Sequence, residues 1–288
     1  MFNPLPYVLP ILLLATQAPA AGVRAATWNF EWFPSGIAFK HAAPEVEQAR
    51  VDAAAAVVKR FAPDILFAQE VRDAESVEKL IAATGIVGLK LDVITDFLDN
   101  DGKPNFQQCA ILSKYPVLDT RSERWRTFGV VDPPRGFAYA LLDVDGELTA
   151  CFSLHLKSNN QRSQREHQLN LLKRELAAAQ LQRFIDGLPM DVGGRKITRF
   201  IVAGDFNTSL DEAAYLSEGT IRNLLEAGFN NCFEGVPPAR RVTLPGAGRY
   251  PDVTFDYIFW KGFAKQTALR LAPKDDVSDH HMVIVTLE

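Results

Sequence analysis

The run Ile201-Val202-Ala203-Gly204-Asp205-Phe206-Asn207 reads as a buried strand that ends in a carboxylate and an amide two residues apart. Successive side chains alternate across a strand, so Asp205 and Asn207 share a face while the extended conformation lasts. Five other stretches repeat the pattern. Thr27-Trp28-Asn29 closes a strand over Val23–Asn29, and the strand Ile65–Ala68 runs into Gln69-Glu70. Phe152-Ser153-Leu154-His155 ends in an imidazole, and Phe255-Asp256-Tyr257-Ile258 sets a carboxylate inside an apolar strand. Ser278-Asp279-His280 precedes the last strand. Each alone has a bland reading, because a strand-ending Asp is usually a turn residue. A lone His is usually a hydrogen-bonded bystander, Asn29 could bond a neighbouring loop, and Glu70 could pair with Arg72. Asp256 resists that reading, since a buried acid needs a partner. Six such positions in one chain indicate a polar site built where strands stop.

Between these strand ends the chain alternates β-rich and helical segments. Further strands are expected at Ala110–Leu112, Phe137–Val144 and Leu148–Leu156, the last two joined by a hairpin turn at Asp145-Gly146. Others fall at Arg199–Ala203, Val253–Trp260 and Met282–Leu287. Pro44–Arg60 is rich in helix formers, with Val46, Val51 and Val57-Val58 as its apolar stripe. Gln164–Ile185 is the longest helical stretch, with Leu169, Leu172, Leu176 and Phe184 on its expected inner side. Val236–Tyr250, rich in Pro and Gly, reads as a long surface loop. No repeat, charge block or linker divides the chain, so one layered α/β domain over residues 22–288 is expected.

Composition narrows the function. The 288 residues are 47% hydrophobic and 23% charged, a globular mixture that excludes a disordered tail, a collagen-like repeat and a multi-span membrane protein. Lys+Arg 31 against Asp+Glu 35 leaves a net charge of −4, which excludes attraction of nucleic acid by bulk charge. An acidic enzyme can still cleave phosphate esters when a metal ion supplies the positive charge. Cys109, Cys151 and Cys232 form no CxxC, which argues against a zinc knuckle and allows at most one disulfide. The run from Pro6 to Ala15 is apolar and is followed by Ala18-Pro19-Ala20, the pattern of a cleaved signal peptide over residues 1–21. That run is shorter than the ~20 residues a membrane span needs, and no Lys or Arg precedes it. Export to a periplasm or the exterior is the corresponding expectation.

The ordered set WN, QE, HLK, GDFN, DYI and SDH, from about Thr27 to Leu287, resembles the metal-dependent endonuclease/exonuclease/phosphatase superfamily. The resemblance implies a four-layer α/β sandwich, two packed mixed β-sheets flanked by helices, with the site at one edge. It further implies that Glu70 is the main metal ligand, with Asn29 beside it and Asp279 completing the metal or phosphate site. Asp205 and Asn207 would align the attacking water and hold a phosphate oxygen, and Asp256 would orient His280. Either His280 or Asp205 could serve as the base. His155 matches the second histidine of the pancreatic-type deoxyribonuclease and sphingomyelinase branches. The carboxylate partner it often has there is missing from Asn105-Phe106-Gln107-Gln108. Arg135 falls where relatives carry a phosphate-contacting arginine, and Lys157 follows His155 as a second phosphate contact.

The activity implied is that of an exported phosphoesterase, with Mg²⁺ as cofactor and Mn²⁺ or Ca²⁺ as substitutes. It would be a nuclease acting on phosphodiesters of nucleic acid by metal-assisted water attack. The alternative is a phosphatase or sphingomyelinase-like phospholipase C acting on small-molecule or lipid phosphates. Thr208-Ser209-Leu210-Asp211 lacks the basic residue usual after GDxN in inositol-phosphatase relatives, and Trp32-Phe33 is the only candidate for an apolar membrane contact. A dead binding module would have lost a ligand or the base, and Glu70, Asp205, Asn207, Asp256 and His280 are all present. Three basic groups, Lys157/Arg162/Arg165, Arg121/Arg124/Arg126 and Arg240/Arg241/Arg249, are either solvated faces or a phosphate-tracking rim. Trp28, Trp32 and Phe33 read as core and rim aromatics. Nothing calls for an obligate protein partner, and a monomer is expected.

Overall fold

Neighbouring residues of the central strands feed two different apolar layers. In β1 (Val23–Phe33), Ala25 belongs to one cluster while Ala26 and Trp28 belong to another. In β2 (Ile65–Val71), Ile65 and Phe67 join the first cluster, Leu66 and Ala68 the second. β4 (Gln108–Ser113) splits Cys109 and Ile111 from Ala110 and Leu112 in the same way, and β13 (Val283–Leu287) splits Val283 and Val285 from Ile284. A strand that is apolar on both faces must be covered on both faces. One side of this sheet therefore packs on a second sheet and the other on helices.

The computed structural model describes residues 22–99, 101–160, 163–246, 251–273 and 276–288. The leader over residues 1–21, Arg162 and Arg249 lie outside the described residues. With β3 (Lys90–Ile94) and β12 (Gln266–Leu271), the first sheet has the order β12-β13-β1-β2-β4-β3. The second contains β5 (Val117–Arg124), β6 (Gly136–Val144), β7 (Glu147–His155), β9 (Arg195–Asp205), β10 (Asn230–Asn231) and β11 (Asp256–Lys261). Its order is β10-β11-β9-β7-β6-β5, with β8 (Asp191–Val192) paired to β9. Both sheets are mixed, since β1 pairs with β2 and β7 with β9 in parallel among antiparallel neighbours. Helices α1 (Pro44–Phe61) and α2 (Ala74–Thr84) cover the first sheet through Val51, Ala54, Val58, Val77 and Leu80. Helices α3 (Gln164–Asp186) and α4 (Thr220–Glu226) cover the second through Ala177, Leu181, Ile185, Ile221 and Leu224. The result is the four-layer α/β sandwich. No helix among the described residues is long and apolar enough to cross a membrane.

Two local expectations need correction. The buried line of α3 runs through Leu171, Arg174, Ala177, Ala178, Leu181 and Ile185, whereas Leu172 is 48% exposed. Small residues, Ala177 and Ala178, let the helix approach the sheet closely, so the inner face is not where the largest apolar residues fall. The segment 236–250 is not wholly a surface loop either. Arg241 and Thr243 are buried, and Leu244 forms a bridge with Val253. The Thr243 hydroxyl accepts hydrogen bonds from the amides of Phe255 and Asp256 at 2.9 and 3.0 Å, fixing the start of β11. All three cysteines are free and buried.

Candidate active site

Strand register brings the polar ends together. Asn29, at a register shift within β1 rather than at its end, lies opposite Gln69 of β2, with Glu70 next in line. In the other sheet Asp205 is flanked on both sides, by His155 of β7 and by Asp256 of β11. Asn29 ties the two sheets together at this edge, its Nδ2 donating to Glu70 Oε1 at 3.3 Å and to Asp205 Oδ2 at 3.1 Å. Behind it, Gln69 donates to Ser153 Oγ at 3.0 Å and accepts from Thr27 at 3.2 Å, a buried polar bridge across the sandwich. The glycine of the GDFN run is required by contact. A Cβ on Gly204 would lie 1.9 Å from the Leu154 carbonyl oxygen, so no other residue lets β9 approach β7 so closely at this point.

His280 comes from the loop before β13. Its Nδ1 is 2.8 Å from Asp256 Oδ2, and its Nε2 faces Asp205 Oδ2 at 3.9 Å and Asp279 Oδ1 at 3.8 Å. Two side chains hold this loop. Trp28, a core ring as expected, donates its indole N–H to the His280 carbonyl at 3.0 Å. Ser278 donates to the Asn29 carbonyl at 2.6 Å and accepts from the His280 amide at 3.0 Å. The Trp32 amide donates to Glu70 Oε2 at 3.0 Å. The SDH run offered a signal for Ser278, since Ser and Thr readily bond backbone two residues on. Nothing in the sequence marks the Trp32 amide.

His155 sits across from His280. Its Nε2 is 3.5 Å from Asp205 Oδ2 and 3.8 Å from Glu70 Oε1, while Nδ1 is buried and has no partner among the described residues. Arg135 and Lys157 are placed differently from the phosphate hooks the sequence suggested. Arg135 donates to the carbonyls of His155 and Leu156 at 3.0 and 2.6 Å and to Gln107 Oε1 at 2.8 Å, which makes it a clamp on the end of β7. Lys157 Nζ turns to the carbonyl and hydroxyl of Ser158 at 3.0 and 3.1 Å. Asp279 lies at the mouth with its side chain 55% exposed, outside the buried cluster. Asn207 is held at three points. Its amide donates to Asp205 Oδ1 at 2.9 Å, its Nδ2 to the Leu156 carbonyl at 3.3 Å, and its own carbonyl accepts from Asn159 Nδ2 at 2.6 Å.

Charge at the site follows from burial. Desolvation raises Glu70 above the ordinary carboxylate value against the pull of His280 and Arg135. Desolvation and then the neighbouring Asp256 raise Asp205. Burial keeps His155 well below the usual imidazole range, with Arg135 adding to the effect. Burial also opposes the charge on His280, but Asp256, with help from Asp205 and Asp279, outweighs it and holds that ring well above the usual range. Lys157 is pushed down to about 8 by burial and the cations around it. Backbone strain gathers here too. Glu31, Trp32, Glu70, Arg135 and Asn207 all have φ between 50° and 68°, a region that costs non-glycine residues about 1–2 kcal/mol each and tends to cluster at functional sites.

The donor set suits a hard divalent cation. Ligand atoms of Asp205, Asp256 and His280 all lie within 4.8 Å of one another, and Asp256 Oδ1 is buried without a partner among the described residues. Buried carboxylates with spare oxygen positions are what Mg²⁺-type ions bind, and neither a thiolate nor a His/Cys cage faces the site.

Solved structures share this architecture. The chain superposes on an endonuclease/exonuclease/phosphatase from Bacteroides vulgatus with a TM-score of 0.65 at 18% identity, over 92% of this chain and 98% of that one. Truncated TDP2 from Caenorhabditis elegans gives 0.60 at 16% identity, over 92% and 97%. Sphingomyelinase C from Streptomyces griseocarneus gives 0.60 at 18%, over 93% and 99%. No curated protein sequence gives a significant match. Residues 26–280 match the model of the endonuclease/exonuclease/phosphatase family. That span holds Asn29, Glu70, His155, Asp205, Asn207, Asp256 and His280, and the chain belongs to this family, whose members are phosphoester hydrolases.

Proposed function

We propose that this protein is a divalent-metal-dependent phosphodiesterase, and that its substrate is nucleic acid. The observation that carries the reading is the His280–Asp256 pair at 2.8 Å, with the other ring nitrogen turned toward Asp205 beside the buried Glu70–Asn29 contact. Glu70 would hold the cation with Asn29 beside it and Asp279 at the mouth. Such an ion, when bound, neutralises a phosphate diester and steadies its leaving group.

The protein's own groups supply the rest. Asp256 fixes the ring orientation of His280, leaving Nε2 free to exchange a proton with water on the Asp205 side. Asp205, already engaged by the Asn207 and Asn29 N–H groups, orients that water. Asn207 and neutral His155 offer hydrogen bonds where charge builds on the phosphoryl oxygens. Removing one such preorganised donor costs about a hundredfold in rate. Arg135 and Lys157 add positive charge around the site without reaching into it. Mg²⁺ is the expected ion because the donors are oxygen-rich, and export through the leader over residues 1–21 completes the proposal.

A second reading, hydrolysis of a lipid phosphodiester, is favoured by one observation. Within Trp32-Phe33, Phe33 is fully buried, and half-buried Trp32 packs on the exposed Phe39 with ring centroids 4.4 Å apart. The loop over residues 125–135, however, ends in a turn that presents Phe128 at 77% exposure and Val130 at 87%. The test is nicking of supercoiled plasmid by the purified full chain in Mg²⁺, with EDTA, His280→Ala and Asp256→Asn as controls. Nicking that needs the metal and falls by at least about a hundredfold in both variants is expected. An intact plasmid together with release of phosphocholine from sphingomyelin vesicles would replace the nuclease reading with the lipid one.

A further inference from the structure

A groove of about 570 Å³ runs between the loop that follows β5 and the outer side of α3. Its size lies within the range of about 300–1,000 Å³ typical of small-ligand sites. One wall is Trp125 and Phe128, the other is Phe184, and Arg124, Arg126 and Arg183 stand around it. Against these three arginines the groove has one acid, Glu123. None of the three forms an ion pair among the described residues, and Arg124 is engaged only by the Leu98 carbonyl at 3.2 Å. Arg121, by contrast, is taken by Asp119 at 3.4 Å and lies over the Phe184 ring. Trp125 is 7% exposed, and its buried indole N–H has no acceptor among the described residues. The groove is therefore cationic at its rim and aromatic at its walls.

It is also joined to the active site by a short path. The Trp125 amide donates to the Arg135 carbonyl at 3.0 Å, and the Arg135 guanidinium holds the His155 carbonyl. Phe137, which packs on Trp125, is in register with Leu154, the residue before His155.

Deepening the nuclease reading above, on which this step rests, we infer that the groove is a subsite for an unpaired nucleotide of the substrate strand. The flanking phosphates would lie on Arg126 and Arg183, and the base on the exposed ring of Phe128 beside the accessible edges of Trp125 and Phe184. Aromatic faces interleaved with arginine are the recognition chemistry of single strands, because every base has a π-face. A base stacked inside a duplex cannot enter a groove walled on both sides. The acidic total charge of the chain makes a local cluster of unpaired arginines the means by which a polyanion is retained.

The experiment is binding of a fluorescein-labelled 12-mer of thymidylate to the full chain in EDTA, measured as a salt series. The comparison ligands are a 12-base-pair duplex and vesicles of phosphatidylglycerol with phosphatidylcholine. The double variant Arg126→Ala/Arg183→Ala is set against Arg60→Ala/Arg270→Ala, which removes the same charge from exposed positions elsewhere. The single strand is expected to bind in preference to the duplex and to quench tryptophan fluorescence, a quench that Trp125→Phe removes. In the groove variant its affinity should fall about tenfold, and the slope of log K against log salt should fall by roughly 1.4, as for two single-strand phosphate contacts. Equal losses in the two double variants, equal binding of duplex, or a groove-dependent loss of vesicle binding instead would each overturn the subsite. Cleavage is scored separately in Mg²⁺. A chain that binds the strand through the groove and does not cut it defeats the nuclease reading and leaves the groove, whereas one that cuts it with the groove variant's affinity intact defeats the groove alone.

Discussion

Asn207 has two burdens that substitution can separate. Its backbone holds a φ of 53°, and its side chain amide, which donates to the Leu156 carbonyl, is the proposed donor to phosphate. Asn is one of the few non-glycine residues that tolerates this region, while Ala does not. Asn207→Gly should therefore retain the turn and stay at least about 1 kcal/mol more stable than Asn207→Ala, although both lose about a hundredfold in kcat with the same missing donor. Thermal melts of the two variants beside their rates make the comparison. Equal melting temperatures would show that the left-handed turn stores no strain. At this scale the sequence was informative wherever a polar side chain ended an apolar strand, which is how Asn29, Glu70, His155, Asp205, Asp256 and His280 could all be named. It was silent where backbone does the work, as at the Trp32 amide on Glu70. It gave no sign that the Arg135 side chain is engaged by neighbouring carbonyls.

Elements show the same division. The inner strands β2, β4, β6, β7 and β9 are apolar runs and were legible, whereas β5 reads Val-Leu-Asp-Thr-Arg-Ser-Glu-Arg and has mostly exposed or half-exposed positions. It is an edge strand, where charge protects against pairing with other chains, so it lacks the pattern by which strands are recognised. Helix α2 went unread because it has only 11 residues, though its start is marked. Asp73 accepts from the Ser76 amide at 2.8 Å and from Arg72 Nε at 2.9 Å. Burial alone would raise Asp73, but the Ser76 and Arg72 hydrogen bonds outweigh it and hold the carboxyl below its ordinary value. A depressed folded value means that the stabilisation is present above the unfolded aspartate pKa and is lost as pH falls through the folded one. Asp73→Asn should thus flatten the acid side of a stability-versus-pH curve measured by urea melts, and an unchanged acid slope would remove Asp73 from that balance. Helix α3 was located correctly but turned, because its inner face is occupied by Arg174. That guanidinium donates to both oxygens of Glu218 at 2.8 and 2.7 Å and to the Lys157 carbonyl and Asn159 at 2.9 Å. Since Asn159 in turn holds Asn207, the pair ties the outer helix to the Asn207 side of the candidate site. Glu218→Ala leaves an uncompensated buried charge and should cost about 3–5 kcal/mol in chemical denaturation. A loss below 1 kcal/mol would mean that water already shares that guanidinium.

At the scale of the whole molecule, two sheets packed face to face bring their polar strand ends to one edge of the sandwich, and that edge is held in an unfavourable state of charge. Glu70, Asp205 and Asp256 are buried together. The neutral amides of Asn29 and Gln69 bridge the sheets by hydrogen bonds, and His280 and Arg135 provide the positive charge that acts on Glu70. A fold that keeps such an arrangement gives up stability that a bound cation restores, the usual trade between stability and function. Two consequences can be measured on the same preparation. In EDTA, Glu70→Gln should melt at or above the parent chain, because one desolvated negative charge is gone while the amide can still accept from the Trp32 amide. With Mg²⁺ at a hundred times its Kd the parent should gain about 2.7 kcal/mol by mass action. For a domain of this size that is a rise of roughly 5–10 °C in Tm, and Glu70→Gln should gain little of it. A parent chain whose Tm ignores Mg²⁺, Mn²⁺ and Ca²⁺ alike would place the cation elsewhere or nowhere. A variant that keeps the full rise would shift the ligand role from Glu70 to the Asp205–Asp256–His280 group, whose ligand atoms already lie within 4.8 Å of one another.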